Sequence, residues 1–173
     1  MSSTKYHPVQ ALAGIVAQLR QSGQRIVFTN GCFDILHPGH IHTLSQAKCY
    51  GDVLIVGINS DDSVRRLKGE RRPILNQTER AVMLAALETV DYVTTFNEDT
   101  PLELIRLLQP HVLVKGGDWQ TESVVGKELV EANGGQVVVV PYQVGFSTTG
   151  IIERILTVYG SSAQGESSCP RPS

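Results

Sequence analysis

Two histidines, His37 and His40, stand three positions apart in a glycine-bearing stretch that spans residues 29–40. At the start of a helix, both imidazole rings lie near the N-terminal end, where they can hydrogen-bond a phosphate that gains negative charge during a reaction. The free N–H groups and the positive end of the helix dipole favour an anion at the same place. Gly31 and Gly39 let the backbone approach that anion closely. The stretch predicts a phosphate site, and a nucleotide phosphate is its natural occupant.

Two other interpretations of the histidines stay open from the residues alone. They can be ordinary surface or core histidines, or they can belong to a metal site formed with Cys32 and His42. The metal interpretation is the weaker one, because Cys32 and His42 need not face the same side. The chain also lacks a Cys-x-x-Cys motif that would support it.

Three further clusters carry groups suited to a nucleotide. Five of the 15 basic residues lie within the nine positions 65–73, which form either a solvated loop or a set of cations that close over a triphosphate. Three hydroxyl residues at 147–149 precede the last predicted helix, where one of them caps the helix and its end offers a second phosphate site. Trp119, the only tryptophan, follows Asp118 and either covers the sheet or stacks on a sugar or base.

Missing motifs exclude several familiar classes of nucleotide enzyme. The chain has no Gly-x-x-x-x-Gly-Lys-Ser/Thr sequence, which excludes a P-loop enzyme, and no Gly-x-Gly-x-x-Gly after the first predicted strand, which counts against a dinucleotide redox enzyme. It also lacks the Gly-x-Ser-x-Gly elbow of α/β hydrolases.

The bulk properties are those of an ordinary globular protein. The chain has 173 residues, a hydrophobic content of 41% and a formal net charge of −2, so we expect no nucleic-acid partner. It contains no apolar run of the roughly 20 residues that span a bilayer and no recognisable secretion signal, so we expect no membrane partner. Three cysteines at irregular spacing form no disulfide framework, and a reducing bacterial cytoplasm is the expected compartment.

The elements that must position these clusters alternate along the chain. Apolar runs predict five strands, with helices between them. One predicted helix spans 76–88 and begins with a capping box, a second begins with a capping box at 100–103, and a third spans 123–132. The alternation predicts an α/β fold with a doubly wound, mostly parallel five-stranded sheet. Such sheets bind ligands outside the carboxyl ends of the strands, at the point where the winding reverses.

The motifs together resemble those of a known family. The glycine, aromatic, aspartate and histidine residues of 31–40, combined with the Ser-Thr-Thr turn before the last helix, resemble the cytidylyltransferase-like nucleotidyltransferase superfamily. A longer set of segments is similar to its heptose 1-phosphate adenylyltransferase branch, which occurs as half of a bifunctional heptose kinase/adenylyltransferase or stands alone. These segments are 29–34, 59–61, 67–69, 72–74, 112–118 and 147–154.

The resemblance implies a Rossmann-like single domain and a reaction. ATP and D-glycero-β-D-manno-heptose 1-phosphate would give ADP-heptose and pyrophosphate for lipopolysaccharide core synthesis, with Mg²⁺ held mainly by the nucleotide phosphates. The implied domain spans 25–159, preceded by an N-terminal helical extension at 1–24 and followed by a disordered tail at 160–173. The family also implies a homodimer or a higher homo-oligomer.

The resemblance also implies roles for individual residues. His37, His40 and Lys68 would be catalytic. Nucleotide contacts would come from both histidines and from Asn30, Gly31, Cys32, Phe33, Gly39, Gly117, Ser147, Thr148 and Thr149. The second substrate would be bound by Asp34, Lys68, Arg72, Asp118 and Trp119.

One departure from the family bears on the choice of substrate. Cytidylyltransferases of glycerol phosphate carry an arginine shortly before the Ser-Thr-Thr turn, whereas residues 141–146 include no basic residue here. This favours the heptose branch. A cytidylyltransferase acting on a polyol or amino-alcohol phosphate is the alternative, and a nucleotide-binding module without catalysis is the alternative from another class.

Overall fold

A computed structural model describes residues 4–117, 123–141, 143 and 145–160. Helices and strands alternate through most of this part of the chain. The helices are α1 (Val9–Gln21), α2 (Pro38–Lys48), α3 (Asp61–Lys68), α4 (Gln77–Ala85), α5 (Leu102–Leu108), α6 (Lys127–Ala132) and α7 (Thr148–Gly160). The strands are β1 (Ile26–Gly31), β2 (Val53–Asn59), β3 (Tyr92–Phe96), β4 (Val112–Gly116) and β5 (Gln136–Val140). The described residues end at Gly160, which is the last residue of α7, so the rest of the tail predicted at 160–173 lies outside them.

The five strands form one parallel sheet in the order β3-β2-β1-β4-β5. The predicted doubly wound α/β fold in a single domain is therefore confirmed, with every strand pair parallel. The winding runs from β1 outward to β3 and then restarts on the other side at β4, so the strand order reverses between β1 and β4. The carboxyl ends of these two strands are thus the expected place for a ligand.

Side chains alternate between two apolar layers, one on each face of the sheet. Val27 and Val114 face α2 and α4, where they pack with Leu44 and Leu84. The intervening positions face α1, α5 and α6, where the packed side chains include Leu12, Phe28, Ile55, Ile105, Leu113 and Val130. Burial on both faces explains why the strands are apolar runs without polar alternation. It also makes α1 part of the core, because Leu12 is fully buried in the second layer.

Helix starts show where local capping signals agree with the fold. The predicted capping box of α4 is present: the Asn76 side chain accepts from backbone N–H groups, and Glu79 accepts in return from the N–H of Asn76. The capping box predicted at 100–103 is wrong. Pro101 is the N-cap of α5, and its side chain offers no acceptor for the free N–H groups. The helix predicted over 123–132 begins only at Lys127, because Gly126 adopts a left-handed conformation.

Among the described residues, no helix is both long enough and apolar enough to span a bilayer.

Candidate active site

The turn between β1 and α2 brings the two histidines together at a helix N-terminus. His37 is the N-cap of α2, and Pro38 fills the first helical position, where the missing N–H costs nothing. The Nδ1 atom of His37 accepts a hydrogen bond from the His40 backbone N–H at 3.3 Å. Because Nδ1 is an acceptor, the neutral His37 ring carries its proton on Nε2. That N–H is therefore left to donate to a group other than the helix.

The rings of His37 and His40 stack with their centroids 3.7 Å apart and their planes 19° from parallel. Burial, together with the charge that His37 would carry, lowers the pKa of His40 to about 4. Burial also lowers the pKa of His37. Both rings are accordingly neutral near pH 7, so each carries one N–H donor and no positive charge. The Nδ1 atom of His40 is buried and has no hydrogen-bond partner among the described residues.

Glycines give the histidine turn its close packing. A Cβ added at Gly39 would lie 3.1 Å from the His37 ring and 3.4 Å from the Cβ of Phe146. A Cβ added at Gly31 would lie 3.2 Å from the Phe33 ring. These contacts are tight enough to displace the rings, so both glycines are required to hold the aromatic groups where they lie.

Backbone strain is concentrated in the same turn. Phe33 and Ile35 adopt left-handed conformations with φ of 49° and 52°, which are unfavourable for residues with a side chain. Such strain persists only where surrounding contacts over-determine the backbone, and it is common at functional sites. One such contact comes from α7, since the Thr148 hydroxyl donates to the Asp34 carbonyl at 2.7 Å.

Asp34, predicted to bind substrate, is 1% exposed, and its carboxylate accepts hydrogen bonds from within the chain. The donors are Arg72 Nε at 2.7 Å, the Ile74 N–H at 2.8 Å and the Leu75 N–H at 2.9 Å. Burial alone would raise the pKa of Asp34, but these hydrogen bonds and the Arg72 charge outweigh it and lower the pKa. Asp34 therefore connects the turn that carries the histidines to residues 72–75, and it holds Arg72 beside that turn.

Two lysines add positive charge around the turn. Lys68 is exposed at the last position of α3. Burial raises the pKa of the Cys32 thiol, and the charge of Lys68 is the largest influence in the opposite direction. Lys115, which the sequence analysis did not single out, ends β4 beside β1, where its Nζ lies 3.4 Å from Asn30 Oδ1. Burial lowers the pKa of Lys115, so a bound anion would favour its charged form.

A second helix N-terminus lies next to the first. The Ser147 hydroxyl accepts from the Gly150 N–H at 3.0 Å and so caps α7, as predicted for the Ser-Thr-Thr turn. Phe146 and Thr148 bring this helix end against Gly39 and Asp34.

Gly117 follows β4 and donates its N–H to the Val140 carbonyl at 2.9 Å. The geometry therefore gathers 30–40, 68–72, 115–117 and 147–149 at one end of the sheet. Asp118 and Trp119 lie outside the described residues.

A buried arginine that no sequence motif indicated lies against the turn. Arg80 is 0% exposed and donates to Cys32, Leu75 and Asp61. The sequence could have indicated its burial, since Arg80 lies one turn before Leu84 on the buried face of α4.

The metal interpretation of the histidines gains no support, because the described part of the chain holds no group of three or more His, Cys, Asp or Glu side chains suited to a metal ion.

Comparison with known proteins gives a family match and close relatives. The family model described as Cytidylyltransferase-like matches residues 28–154. The chain is 57% identical over 159 residues to "Bifunctional protein HldE" of Geobacter metallireducens, covering 92% of this chain and 32% of that protein. It is 56% identical over 156 residues to the protein of the same name from Geobacter sulfurreducens, covering 90% and 32%. The chain thus spans about a third of the length of these relatives.

Solved structures agree with the fold. The lipopolysaccharide core biosynthesis protein of Thermoplasma volcanium aligns with a TM-score of 0.58 and 29% identity, over 70% of this chain and 98% of that one. Pantoate-β-alanine ligase of Francisella tularensis aligns with a TM-score of 0.60 and 20% identity, over 95% of this chain and 81% of that one. The second likeness, at this identity, supports the fold alone.

Proposed function

This chain belongs to the cytidylyltransferase-like family, and on that premise we propose that it transfers AMP from ATP to D-glycero-β-D-manno-heptose 1-phosphate. The family match agrees with the nucleotidyltransferase assignment made from the sequence. The observation that carries the proposal is the stacked pair of neutral histidines at the N-terminus of α2. The choice of heptose is supported by the motif resemblance and by relatives named "Bifunctional protein HldE".

The proposed chemistry is a single displacement at the α-phosphate of ATP. A phosphate oxygen of the sugar 1-phosphate attacks the α-phosphorus, and the bond from that phosphorus to the β-phosphate oxygen breaks. Pyrophosphate leaves, and the new pyrophosphate linkage is that of ADP-heptose. The attacking oxygen belongs to a group whose second pKa is about 6, so it is largely ionised at pH 7 and needs no general base. The protein's task is to position two anions and to neutralise their charge.

His37 and His40 would donate hydrogen bonds to the non-bridging oxygens of the α-phosphate. Neutral rings suit this role because an N–H donor requires no prior protonation, and its hydrogen bond strengthens as charge develops on the phosphate.

The other segments would hold the remaining phosphates and the acceptor. The N-terminus of α7, with Ser147 and Thr149, would face the β- and γ-phosphates. Lys68 and Arg72 would neutralise part of the phosphate charge. Asp118 and Trp119 stay proposed contacts of the acceptor or the ribose.

A magnesium ion would arrive with the triphosphate. The described residues form no cage of metal-binding side chains, and the nearest carboxylate, Asp34, is fully engaged within the chain. This donor set suits an ion bound chiefly by phosphate oxygens and water, which would reduce the repulsion between the reactants. A cytoplasmic location is proposed from the cysteine content, and a homo-oligomeric state is proposed from the family resemblance.

Pyrophosphate release tests the proposed function. Purified protein is given ATP or CTP, with Mg²⁺, against a panel of sugar 1-phosphates and polyol phosphates. We expect release with ATP and the heptose 1-phosphate. Release only with CTP and a polyol phosphate would overturn the substrate while keeping the chemistry. Folded protein that binds ATP but releases nothing across the panel would instead be a binding module.

A further inference from the structure

Arg80 links three separate segments of the chain from a fully buried position. Its Nη1 donates to the Cys32 carbonyl at 2.6 Å, its Nη2 to Asp61 Oδ1 at 2.8 Å and its Nε to the Leu75 carbonyl at 3.0 Å. The side chain is 0% exposed, whereas that of Asp61 is 23% exposed. The planar fork of the guanidinium suits this arrangement because its donors point in several fixed directions at once.

Stability alone is a weak reason for such a buried charge. Removing an arginine and its carboxylate from water is costly, and well-packed apolar side chains often replace a buried ion pair without loss of stability. What distinguishes Arg80 is its hydrogen bond to the Cys32 carbonyl. Cys32 belongs to the turn that carries His37, and it lies one residue before the strained Phe33.

The hydrogen bond to Cys32 fixes the direction of one peptide group. The peptide between Cys32 and Phe33 is trans, so its C=O and its N–H point in opposite directions. Since the carbonyl points at the guanidinium, the Phe33 N–H points away from it. Among the described residues, none accepts a hydrogen bond from that N–H. If this peptide rotated by half a turn, a carbonyl oxygen would replace the N–H on that side and would repel an anion.

We propose that Arg80 is a positioning residue that presents the Phe33 N–H to a phosphate of the bound nucleotide by holding the Cys32 carbonyl on the opposite side. The Asp34 side chain, on the other side of Phe33, is held by the N–H groups of Ile74 and Leu75. The residues on both sides of the strained Phe33 are thereby anchored. The inference rests on the proposed function only in taking ATP as the nucleotide.

The test separates positioning from stability by a pair of substitutions. Arg80→Met removes the hydrogen bond to Cys32 but also leaves Asp61 without its partner. The double variant Arg80→Met with Asp61→Asn removes that unpaired charge, so its unfolding midpoint in urea returns towards that of the wild type. Arg80→Lys keeps a charge opposite Asp61 but cannot reach all three acceptors. Arg106→Met, on the exposed face of α5, is the matched control.

Two quantities are measured on each folded variant: the dissociation constant of magnesium ATP by calorimetry, and kcat and KM with both substrates. We expect the double variant to bind ATP at least about tenfold more weakly, the usual effect of losing a charge-assisted hydrogen bond, even though its stability is restored. Arg80→Lys recovers part of the affinity, and Arg106→Met matches the wild type.

A stable double variant with wild-type ATP affinity and kcat would overturn the positioning role and leave Arg80 as a structural residue. The ATP measurement needs no acceptor. A wild-type protein that binds ATP but does not use the heptose 1-phosphate would therefore refute the proposed function without deciding the role of Arg80.

Discussion

Two stacked neutral imidazoles differ from a phosphate site built of cationic side chains, because they offer N–H donors without a fixed positive charge. Protonating both rings would bring two like charges together in a largely buried turn, with the ring centroids 3.7 Å apart. Burial and this repulsion both lower the pKa of His40. In the proposed mechanism, the rings therefore contribute directed N–H groups, whereas the cationic charge comes from Lys68, Arg72 and Lys115. With this division, hydrogen-bond donors are already in place where negative charge develops in the transition state.

Replacement of either ring tests this division at the level of single residues. We expect His37→Ala or His40→Ala to lower kcat by about 10²-fold or more, the usual effect of losing one donor to a charge that develops in the transition state. Steady-state pyrophosphate release measures kcat, and circular dichroism checks that the fold survives. His7→Ala is the control, since His7 lies against Tyr92 at the amino end of β3. Near-normal turnover in a ring variant would remove that histidine from the mechanism.

At the scale of elements, local signals predicted what local chemistry decides. The strand runs and the capping box of α4 were found because each depends on residues close together in the chain. The prediction of a capping box at 100–103 was wrong because Pro101 occupies the N-cap. The predicted box requires Thr100 at the N-cap and Pro101 one position inside the helix. Arg80 was missed because its partners lie 5, 19 and 48 positions away. No spacing rule along the chain reveals such a contact.

The candidate site shows the same limit. The residues of the turn were predicted together, with roles taken from the resemblance, but the contacts within the chain that hold them in place were not predicted. Asp34 was expected at the substrate, and the fold engages its carboxylate with Arg72 and the backbone of 74–75. Those partners are about 40 positions away, so tertiary structure alone reveals that the aspartate joins two segments.

The glycine at the start of α2 gives an element-level prediction. In Gly39→Ala the new Cβ meets the His37 ring at 3.1 Å, so we expect kcat to fall about tenfold or more by displacement of a catalytic group. Gly14→Ala in α1 is the matched control, because a Cβ there meets nothing within 4 Å. That control should keep full activity and gain roughly 0.5–1 kcal/mol of unfolding free energy. Urea unfolding and pyrophosphate release measure both effects, and a fully active Gly39→Ala would refute the packing argument.

At the scale of the whole molecule, the site depends on contacts between distant parts of the chain. β1 and β4 meet only because the winding reverses between them. The segment before α4 is held to the histidine turn by Asp34 and Arg80, and α7 is held there by Thr148. The Asp34 carboxylate and the rings of His37 and His40 in this turn are groups whose pKa is changed by folding, so the stability of the whole fold should follow their protonation.

The sign of that dependence follows from the direction of each pKa change. His40 has a pKa of about 4 in the fold and about 6.5 in the unfolded chain. The unfolded chain therefore binds more protons between these values, and stability falls as the pH drops from about 6.5 towards 4. His37 and His111 act in the same direction, since burial lowers the pKa of both. The lowered pKa of Asp34 contributes stability that is lost only at more acid pH, below the usual carboxyl range.

Urea unfolding at a series of pH values tests the dependence, with His40→Gln as the comparison. Above about pH 7 the unfolding free energies of the two proteins should differ by a constant amount, because the ring is then neutral in both folded and unfolded chains. Between about pH 6.5 and 4 the wild type should lose on the order of 3 kcal/mol more than the variant, the equivalent of the pKa change. Below that range the two curves should run parallel, since Asp34 titrates in both. Parallel curves across the whole series would instead mean that folding does not change the pKa of His40.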